Sequence, residues 1–122
     1  MRGIPETTAS HLPPGDFSFG DLKLGDVDDD GDLDMVASDW GPGDASKNGG
    51  AVTRLWLNDG QARFTDATAE RMPSLRIPWS WDLEFVDIDN DDDLDLAISA
   101  KASPGSFLFE NLECRRGRTF AQ

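Results

Sequence analysis

Two short segments of this sequence concentrate aspartates at a regular spacing. Residues 26–34 hold six aspartates and residues 87–95 hold six more, so half of the 24 acidic residues lie in two windows of nine. Outside these windows 12 acidic residues face 11 basic ones, and the rest of the chain is close to neutral. Because like charges a few ångströms apart repel one another even in water, this clustering predicts a bound cation in each segment.

The spacing within each segment indicates calcium. Alternate residues of a tightly turning loop point inward, so the carboxylates at loop positions 1, 3, 5 and 9 converge, and the backbone carbonyl at position 7 completes an all-oxygen cage. Ca²⁺ takes about six to eight oxygen ligands, whereas Mg²⁺, the second choice, demands a tighter octahedron and usually keeps its waters. Neither window contains His or Cys, which argues against Zn²⁺ and other transition metals. The predicted ligands are Asp26, Asp28, Asp30, Asp32 (carbonyl) and Asp34 in the first loop, and Asp87, Asp89, Asp91, Asp93 (carbonyl) and Asp95 in the second.

The second loop departs from the first at position 6, where Asp92 replaces Gly31. If this position requires a positive φ, aspartate adopts it at a cost of about 1 kcal/mol, which predicts a weaker second site. An EF-hand is excluded, because that loop requires a Glu at position 12 and flanking helices. Position 12 is Ala37 in the first loop and Ile98 in the second, and both flanks have the pattern of strands.

The two loops belong to a longer sequence repeat. Residues 20–38 align with residues 81–99 at an offset of 61 residues without a gap, and Arg54–Asn58 then aligns with Phe107–Asn111. Both repeats have the same order of strand, acidic loop, strand, connection, strand, turn and short strand. A fixed period of this kind predicts one structural unit per repeat.

The strand assignments rest on period and length. Before each loop, apolar residues alternate with polar ones, as in a half-buried strand. After each loop a short apolar run, Met35–Ala37 or Leu96–Ile98, is typical of a strand buried on both faces. No segment has a helical apolar stripe of useful length, so the chain is predicted to be all-β. The predicted organisation is an extended arm or linker at 1–18, a first repeat at 19–72 and a second repeat at 73–122.

The aspartate loops and their flanking strands resemble the FG-GAP/VCBS repeat family, whose β-propeller blades carry an Asp-x-Asp-x-Asp-Gly-x-x-Asp loop after the first strand. The resemblance covers residues 19–120, and residues 55–66 are similar to the family's later strand-turn-strand segment. It implies two tandem four-stranded antiparallel propeller-type blades, calcium binding, and an extracellular or cell-surface setting. Members of the family include integrin α-subunit heads, bacterial surface adhesins, lectins and non-catalytic parts of polysaccharide-degrading enzymes.

Two blades make an incomplete propeller. A closed propeller typically has about four to eight blades, and repeat units generally require about three neighbours to bury their faces. The chain is therefore expected to belong to a longer array, or to oligomerise into a ring or a head-to-tail filament. The expected partners are copies of the chain or neighbouring blades, with a glycan or a cell-surface protein as a further candidate.

The function favoured by these observations is a calcium-stabilised extracellular structural or adhesive module. The alternative is a glycan-binding, lectin-like module or a non-catalytic part of a larger secreted enzyme, in which Trp40 is the candidate ligand contact beside Trp79 and Trp81. Packing of these tryptophans between blades is the competing interpretation. We predict no enzymatic activity, because no nucleophile–base pair is identifiable and the single histidine, His11, lies in a proline-rich segment.

Charge and hydropathy exclude other classes of protein. A formal net charge of −13 disfavours nucleic acid and anionic membrane surfaces as partners, because their phosphates would be repelled. No window approaches the roughly 18 apolar residues of a membrane span, so no membrane insertion is expected. The first ten residues contain no apolar segment of a secretion signal. The chain is thus either cytosolic or lacks the true start of a secreted protein, and the resemblance favours the second.

Overall fold

The computed structural model describes residues 3–15, 17–41, 49–101, 105–112 and 120–121. Within these residues the chain forms ten strands and two single-turn helices, which confirms the predicted all-β class. In chain order the elements are α1 (Thr8–His11), β1 (Phe19–Gly25), β2 (Asp34–Asp39), β3 (Ala51–Val52), β4 (Arg54–Asn58), β5 (Phe64–Asp66), α2 (Thr68–Arg71), β6 (Arg76–Ile77), β7 (Ser80–Val86), β8 (Asp95–Ala100), β9 (Ser106–Asn111) and β10 (Phe120–Ala121).

Each repeat forms one antiparallel four-stranded sheet. Sheet 1 has the strand order β1-β2-β4-β5, and sheet 2 has the order β7-β8-β9-β10. The first strand of each sheet has a register irregularity at the same place, next to Gly20 in β1 and next to Trp81 in β7. The cross-strand pairs that correspond at the offset of 61 residues are Leu22–Ala37 with Leu83–Ile98, and Leu24–Met35 with Phe85–Leu96. The sequence repeat is therefore also a structural repeat.

Four short elements were not predicted from the sequence. Helix α1 lies in the segment expected to be an extended arm, α2 follows β5, and β3 pairs with β6 in a separate two-stranded sheet. Each helix begins near an acidic side chain that accepts a backbone N–H group, Glu6 at 2.7 Å for α1 and Asp66 at 3.0 Å for α2. Each ends at a residue before a proline, Leu12 or Met72, where the backbone is extended because proline disfavours the helical conformation there. Elements of two to four residues are too short to produce a periodic pattern.

The packing of the two sheets is easiest to describe by naming their faces. The front face of each sheet is defined by three residues of its first two strands: Leu22, Leu24 and Met35 in sheet 1, and Leu83, Phe85 and Leu96 in sheet 2. The back face lies on the opposite side and is defined by residues of three strands: Lys23, Val36 and Leu55 in sheet 1, and Glu84, Ala97 and Leu108 in sheet 2.

The front face of sheet 2 packs against the back face of sheet 1. Val36 and Leu55 of sheet 1 form one continuous buried cluster with Leu83, Leu96 and other front-face residues of sheet 2. Burying an aliphatic side chain of this kind stabilises the fold by about 1.5–3 kcal/mol. This cluster is the main apolar core, and it joins the two repeats into one body.

Polar contacts fix the register of this interface. One carboxylate oxygen of Asp21 accepts the backbone N–H of Leu83 at 3.0 Å. The ammonium group of Lys23 lies 3.7 Å from a carboxylate oxygen of Glu84. The side-chain amide of Asn111 donates to the carbonyl oxygen of Val27 at 2.9 Å. Each contact joins one repeat to the other.

The end of the N-terminal arm covers part of the front face of sheet 1. The ring of Phe17 stacks on Phe19 and meets Trp56 edge-on at 5.3 Å, and the guanidinium group of Arg54 lies over Phe17. Trp56 is buried for this reason, although Leu22 on the same face is exposed. No helix in the described residues combines the length and the hydropathy that crossing a membrane requires.

Gly25 provides a test of the sheet–sheet interface. It is buried, and a Cβ atom at this position would lie 2.8 Å from the ring of Phe85 and 3.1 Å from Leu94. We expect Gly25→Ala to lower the free energy of unfolding by about 1–3 kcal/mol through overpacking, measured by urea denaturation of dilute protein at fixed calcium concentration. The matched control is Val86→Ala at the exposed counterpart position, where the change should stay below about 0.5 kcal/mol. Equal effects of the two substitutions would contradict this account of the interface.

Candidate metal centre

Each aspartate-rich loop closes a hairpin between the first two strands of its sheet. The first loop follows β1 and precedes β2, and the second follows β7 and precedes β8. Both loops adopt a positive φ at positions 4 and 6, with values of 59° at Asp29, 88° at Gly31, 58° at Asn90 and 70° at Asp92. Asn and Asp tolerate this left-handed conformation better than most residues, and glycine adopts it without strain. Position 6 thus requires a positive φ in both loops, and only the first loop has glycine there.

Backbone N–H groups hold the carboxylates of positions 1 and 5 in place. In the first loop both oxygens of Asp26 accept hydrogen bonds, from the N–H of Asp30 at 3.2 Å and that of Gly31 at 2.8 Å. One oxygen of Asp30 accepts the N–H of Asp32 at 2.9 Å. The second loop repeats all three bonds at the corresponding residues, with distances of 3.0–3.1 Å. The two loops therefore have the same pattern of hydrogen bonds between backbone N–H groups and aspartate side chains.

The aspartate at position 9 connects the loop to the third strand of the sheet. Asp34 is fully buried and accepts the N–H of Val27 at 3.1 Å and that of Asn58 at 2.9 Å. Asp95 accepts the N–H of Asn111 at 2.7 Å in the same manner. No role was predicted from the sequence for these two asparagines. Both end the aligned third strands of the repeats, and this recurrence in the sequence could have marked them as partners of the loop.

Four carboxylates converge in each loop. Those at positions 1, 3, 5 and 9 each offer an oxygen atom, and the four atoms lie within 4.8 Å of one another. The side chains at position 7 lie outside these groups, and the contribution of a backbone carbonyl from Asp32 or Asp93 stays a prediction. The two converging sets are Asp26, Asp28, Asp30 and Asp34 in the first loop, and Asp87, Asp89, Asp91 and Asp95 in the second.

The clustering makes ionisation of the carboxylates costly. Burial raises the pKa of Asp28 to about 7, and the nearby carboxyl groups of Asp34 and Asp30 act in the same direction. Burial also raises the pKa of Asp34, although two backbone N–H groups partly oppose this shift. In the second loop, loss of hydration and the neighbouring Asp91 raise the pKa of Asp89 to about 6. Each loop therefore favours either a proton or another positive charge among its carboxylates.

The donor set fits a hard divalent cation. Oxygen atoms alone converge in each group, which is the ligand type that Ca²⁺ and Mg²⁺ prefer. Asp28 Oδ1 is buried and accepts no hydrogen bond from any described residue. A buried acceptor left without a partner costs about 1–3 kcal/mol, and a coordinated cation removes that cost. This oxygen is the observation that points to a ligand inside the loop.

Trp40 lies at the boundary between the two sheets. Its indole N–H donates to the carbonyl oxygen of Ser80 at 2.6 Å, and its ring meets Trp79 and Trp81 edge-on, each at 5.1 Å. Gly20 leaves room for the indole, since a Cβ atom there would contact its nitrogen. These contacts agree with the packing interpretation of Trp40. Glycan binding stays a hypothesis, and 48% exposure makes Trp81 the tryptophan with the most accessible surface in this cluster.

Comparison with known protein families agrees with the structural repeat. The sequence model of a family described as FG-GAP-like repeat matches residues 26–98, which is more than half of the chain and includes both loops. No curated protein and no solved structure matches the chain.

Substitution of Asp28 tests the electrostatic description of the first loop. Its pKa in the folded chain, about 7, lies above the ordinary aspartate value of 3.8, so the folded state favours the protonated form. The contribution of Asp28 to the stability of the calcium-free protein is therefore fully present below pH 4 and is lost as the pH rises through 7. In EDTA at neutral pH we expect Asp28→Asn to raise the melting temperature by a few degrees, since about 1 kcal/mol corresponds to roughly 4–8 °C in a small domain.

The comparison is made by thermal unfolding between pH 4 and 8, with EDTA and with calcium. In calcium the order should reverse, because the amide is a poorer ligand than the carboxylate. The control is Asp29→Asn, which removes the same charge from an exposed residue outside the converging set. If both substitutions change the pH dependence equally, net charge alone is responsible and the local explanation is wrong.

Proposed function

Because the chain belongs to the FG-GAP-like repeat family, we propose that it is a calcium-stabilised repeat module of the extracellular, adhesive type. The single observation that carries the proposal is the duplication of a four-carboxylate cluster at the same hairpin of two successive sheets. One acidic turn can arise from a solvated surface. Two clusters with the same backbone hydrogen bonds, each holding a buried aspartate, support the proposal of a cation at both positions.

Calcium in the first loop would be held by Asp26, Asp28, Asp30 and Asp34, with the carbonyl of Asp32 as a further ligand. Its chemical contribution is charge: it neutralises carboxylates that otherwise repel one another or remain protonated. Because the position-9 aspartate also binds the third strand, a cation in the loop would stabilise three segments of the sheet at once. The second loop would act in the same way on sheet 2.

The calcium affinity expected for such loops favours an extracellular location. Calcium sites of extracellular modules bind with dissociation constants of about 10⁻⁴–10⁻³ M, so they fill only where calcium is abundant. Binding to the folded state alone stabilises it by mass action, by about 2.7 kcal/mol at a hundredfold excess over the dissociation constant. A repeat module that becomes rigid only outside the cell suits a structural or adhesive role.

Calcium titration of matched variants tests this proposal. By calorimetry we expect heat from two sites per chain, and by thermal unfolding a lower melting temperature in EDTA. Asp30→Asn should weaken the first site at least tenfold, or about 1.4 kcal/mol, because it removes a converging carboxylate but keeps an oxygen for the backbone bond. Asp29→Asn removes an equal charge from the same loop outside the set and should change affinity only slightly. Absence of binding heat together with indifference to EDTA would overturn the proposal.

The difference at position 6 predicts the order of the two sites. Asp92 adopts a positive φ at a cost of about 1 kcal/mol that Gly31 does not incur, so the second site should be the weaker one. Asp92→Gly should tighten the second site several-fold, and the reciprocal Gly31→Asp should weaken the first. Both effects are measured by calcium titration of the single variants. If neither substitution changes its own site, backbone strain does not set the affinity.

A further inference from the structure

Within the described residues, part of one apolar face of each sheet remains uncovered. On the front face of sheet 1, Leu22 is 46% exposed and Leu24 is 50% exposed, whereas Leu83, the counterpart of Leu22 in sheet 2, is fully buried. On the back face of sheet 2, Leu108 is 44% exposed, whereas its counterpart Leu55 in sheet 1 is fully buried. The exposed residues therefore stand at positions that the other repeat buries.

Residues in the two acidic loops differ in exposure between the repeats in the same way. Ile88 is 52% exposed and follows the back face of sheet 2, while its counterpart Val27 is 1% exposed against sheet 2. Leu33 is 54% exposed beside the front face of sheet 1, while its counterpart Leu94 lies within reach of Gly25 in the sheet–sheet interface. Exposure is thus determined by which side of the repeat pair a residue occupies.

We propose that the front face of sheet 1 binds the back face of sheet 2 of a second copy of this chain. The intramolecular interface is the template, because it already joins a front face to a back face of the same repeat type. The proposed contact is head-to-tail, so a further face stays open at each end of a dimer. Growth then continues to a closed ring or an open filament, according to the rotation between successive copies. This inference does not depend on the identity of the cation in the loops.

The template specifies which residues meet. Within the chain, Gly25 accommodates the ring of Phe85 and the side chain of Leu94. The counterparts at the intermolecular contact are Val86 of one copy, which is 39% exposed, with Leu24 and Leu33 of the next. At the intermolecular contact, Leu24 replaces the larger Phe85 of the internal interface, and Val86 replaces the smaller Gly25. The larger valine is thus offset by the smaller leucine, and the contact stays apolar.

The charged residues at the interface are complementary in the same register. Within the chain, Lys23 of β1 pairs with Glu84 of β7 at 3.7 Å. Lys23 and Glu84 are counterparts in the repeat, so transfer of the interface to a second copy places Glu84 of one copy beside Lys23 of the next. The pair of opposite charges is regenerated, with the two residues exchanging roles. An exposed pair contributes little to the affinity, but like charges here would oppose the register.

The carboxylate of Asp82 could accept a hydrogen bond from the second copy in this register. Asp21 accepts the N–H of Leu83 across the internal interface, and the counterpart of Asp21 is Asp82 on the open side. The carboxylate of Asp82 has no partner among the described residues. In the docked pair it would accept the N–H of Leu22 of the second copy. Within a single copy, that N–H donates to the carboxylate of Asp21 at 2.9 Å.

The intermolecular contact should be weaker than the internal one. The internal interface contains the cluster of Trp40, Trp79 and Trp81, whose counterparts in the repeat are Lys101, Ser18 and Gly20. The aromatic contacts are therefore not regenerated. Net charge of −13 per copy also opposes association, so raising the ionic strength should strengthen it by screening. The association is expected to be reversible and dependent on protein concentration.

Sedimentation or light scattering in calcium-containing buffer tests the proposal with two exposed substitutions. Leu22→Glu blocks the front face of sheet 1, and Leu108→Glu blocks the back face of sheet 2. The full chain should show a mass that increases with concentration beyond the dimer, and each variant alone should associate at least about tenfold more weakly. Ile4→Glu, at a fully exposed residue of the arm, is the control and should associate like the unmodified chain. Circular dichroism checks that all variants are folded.

Mixing the two blocked variants provides the decisive result. Each retains one intact face of opposite kind, so an equimolar mixture should form a species of twice the monomer mass and nothing larger. Association of either variant with itself at full strength would mean that identical faces meet, which overturns the proposal. A chain that stays monomeric at all concentrations would also overturn it, and would indicate that further repeats of a longer polypeptide cover these faces. Assembly that persists without calcium binding would contradict the proposed function and leave this inference standing.

Discussion

Repulsion among four carboxylates at one hairpin is the constraint on which the rest of the structure depends. The chain does not relieve it by separating the side chains. Instead it directs backbone N–H groups at Asp26 and Asp34, and these bonds hold the negative charges close together. The raised pKa of Asp28 and its unpartnered oxygen are the local consequences. Each loop therefore favours a positive charge among its carboxylates, and the proposed cation would relieve this repulsion.

The same hairpin also determines how the sheet is assembled. The aspartate at position 9 accepts a hydrogen bond from the first residue after position 1 and from the asparagine that ends the third strand. Loss of the loop would therefore affect the pairing of the strands as well as the proposed cation site. Because both repeats are built in this way, the two sheets share one strand order and each has two apolar faces. One front face and one back face are used internally, and one of each remains available.

The sequence predicted more of the strands and loops than of the contacts between sheets. Strands β1, β2, β7 and β8 were recognisable because alternation, acidic loops and apolar runs recur at one offset. Helices α1 and α2 and the pair β3–β6 were missed, since two to four residues show no period. The need for glycine at position 20 is likewise a tertiary feature, because a Cβ atom there would collide with the indole of Trp40, which follows β2.

The sequence by itself determined the positions of the carboxylates, the duplication of the unit and the all-β class, because spacing and period act locally. The tertiary structure alone decided which face of each sheet is buried. The continuous apolar runs of β2 and β8 reveal that both faces of each sheet carry apolar residues, but they do not reveal which face meets a neighbour. That outcome depends on contacts between residues about sixty positions apart, such as Gly25 against Phe85 and Asp21 against the backbone of Leu83. Equivalent residues therefore differ in burial, and the difference arises from packing between the repeats.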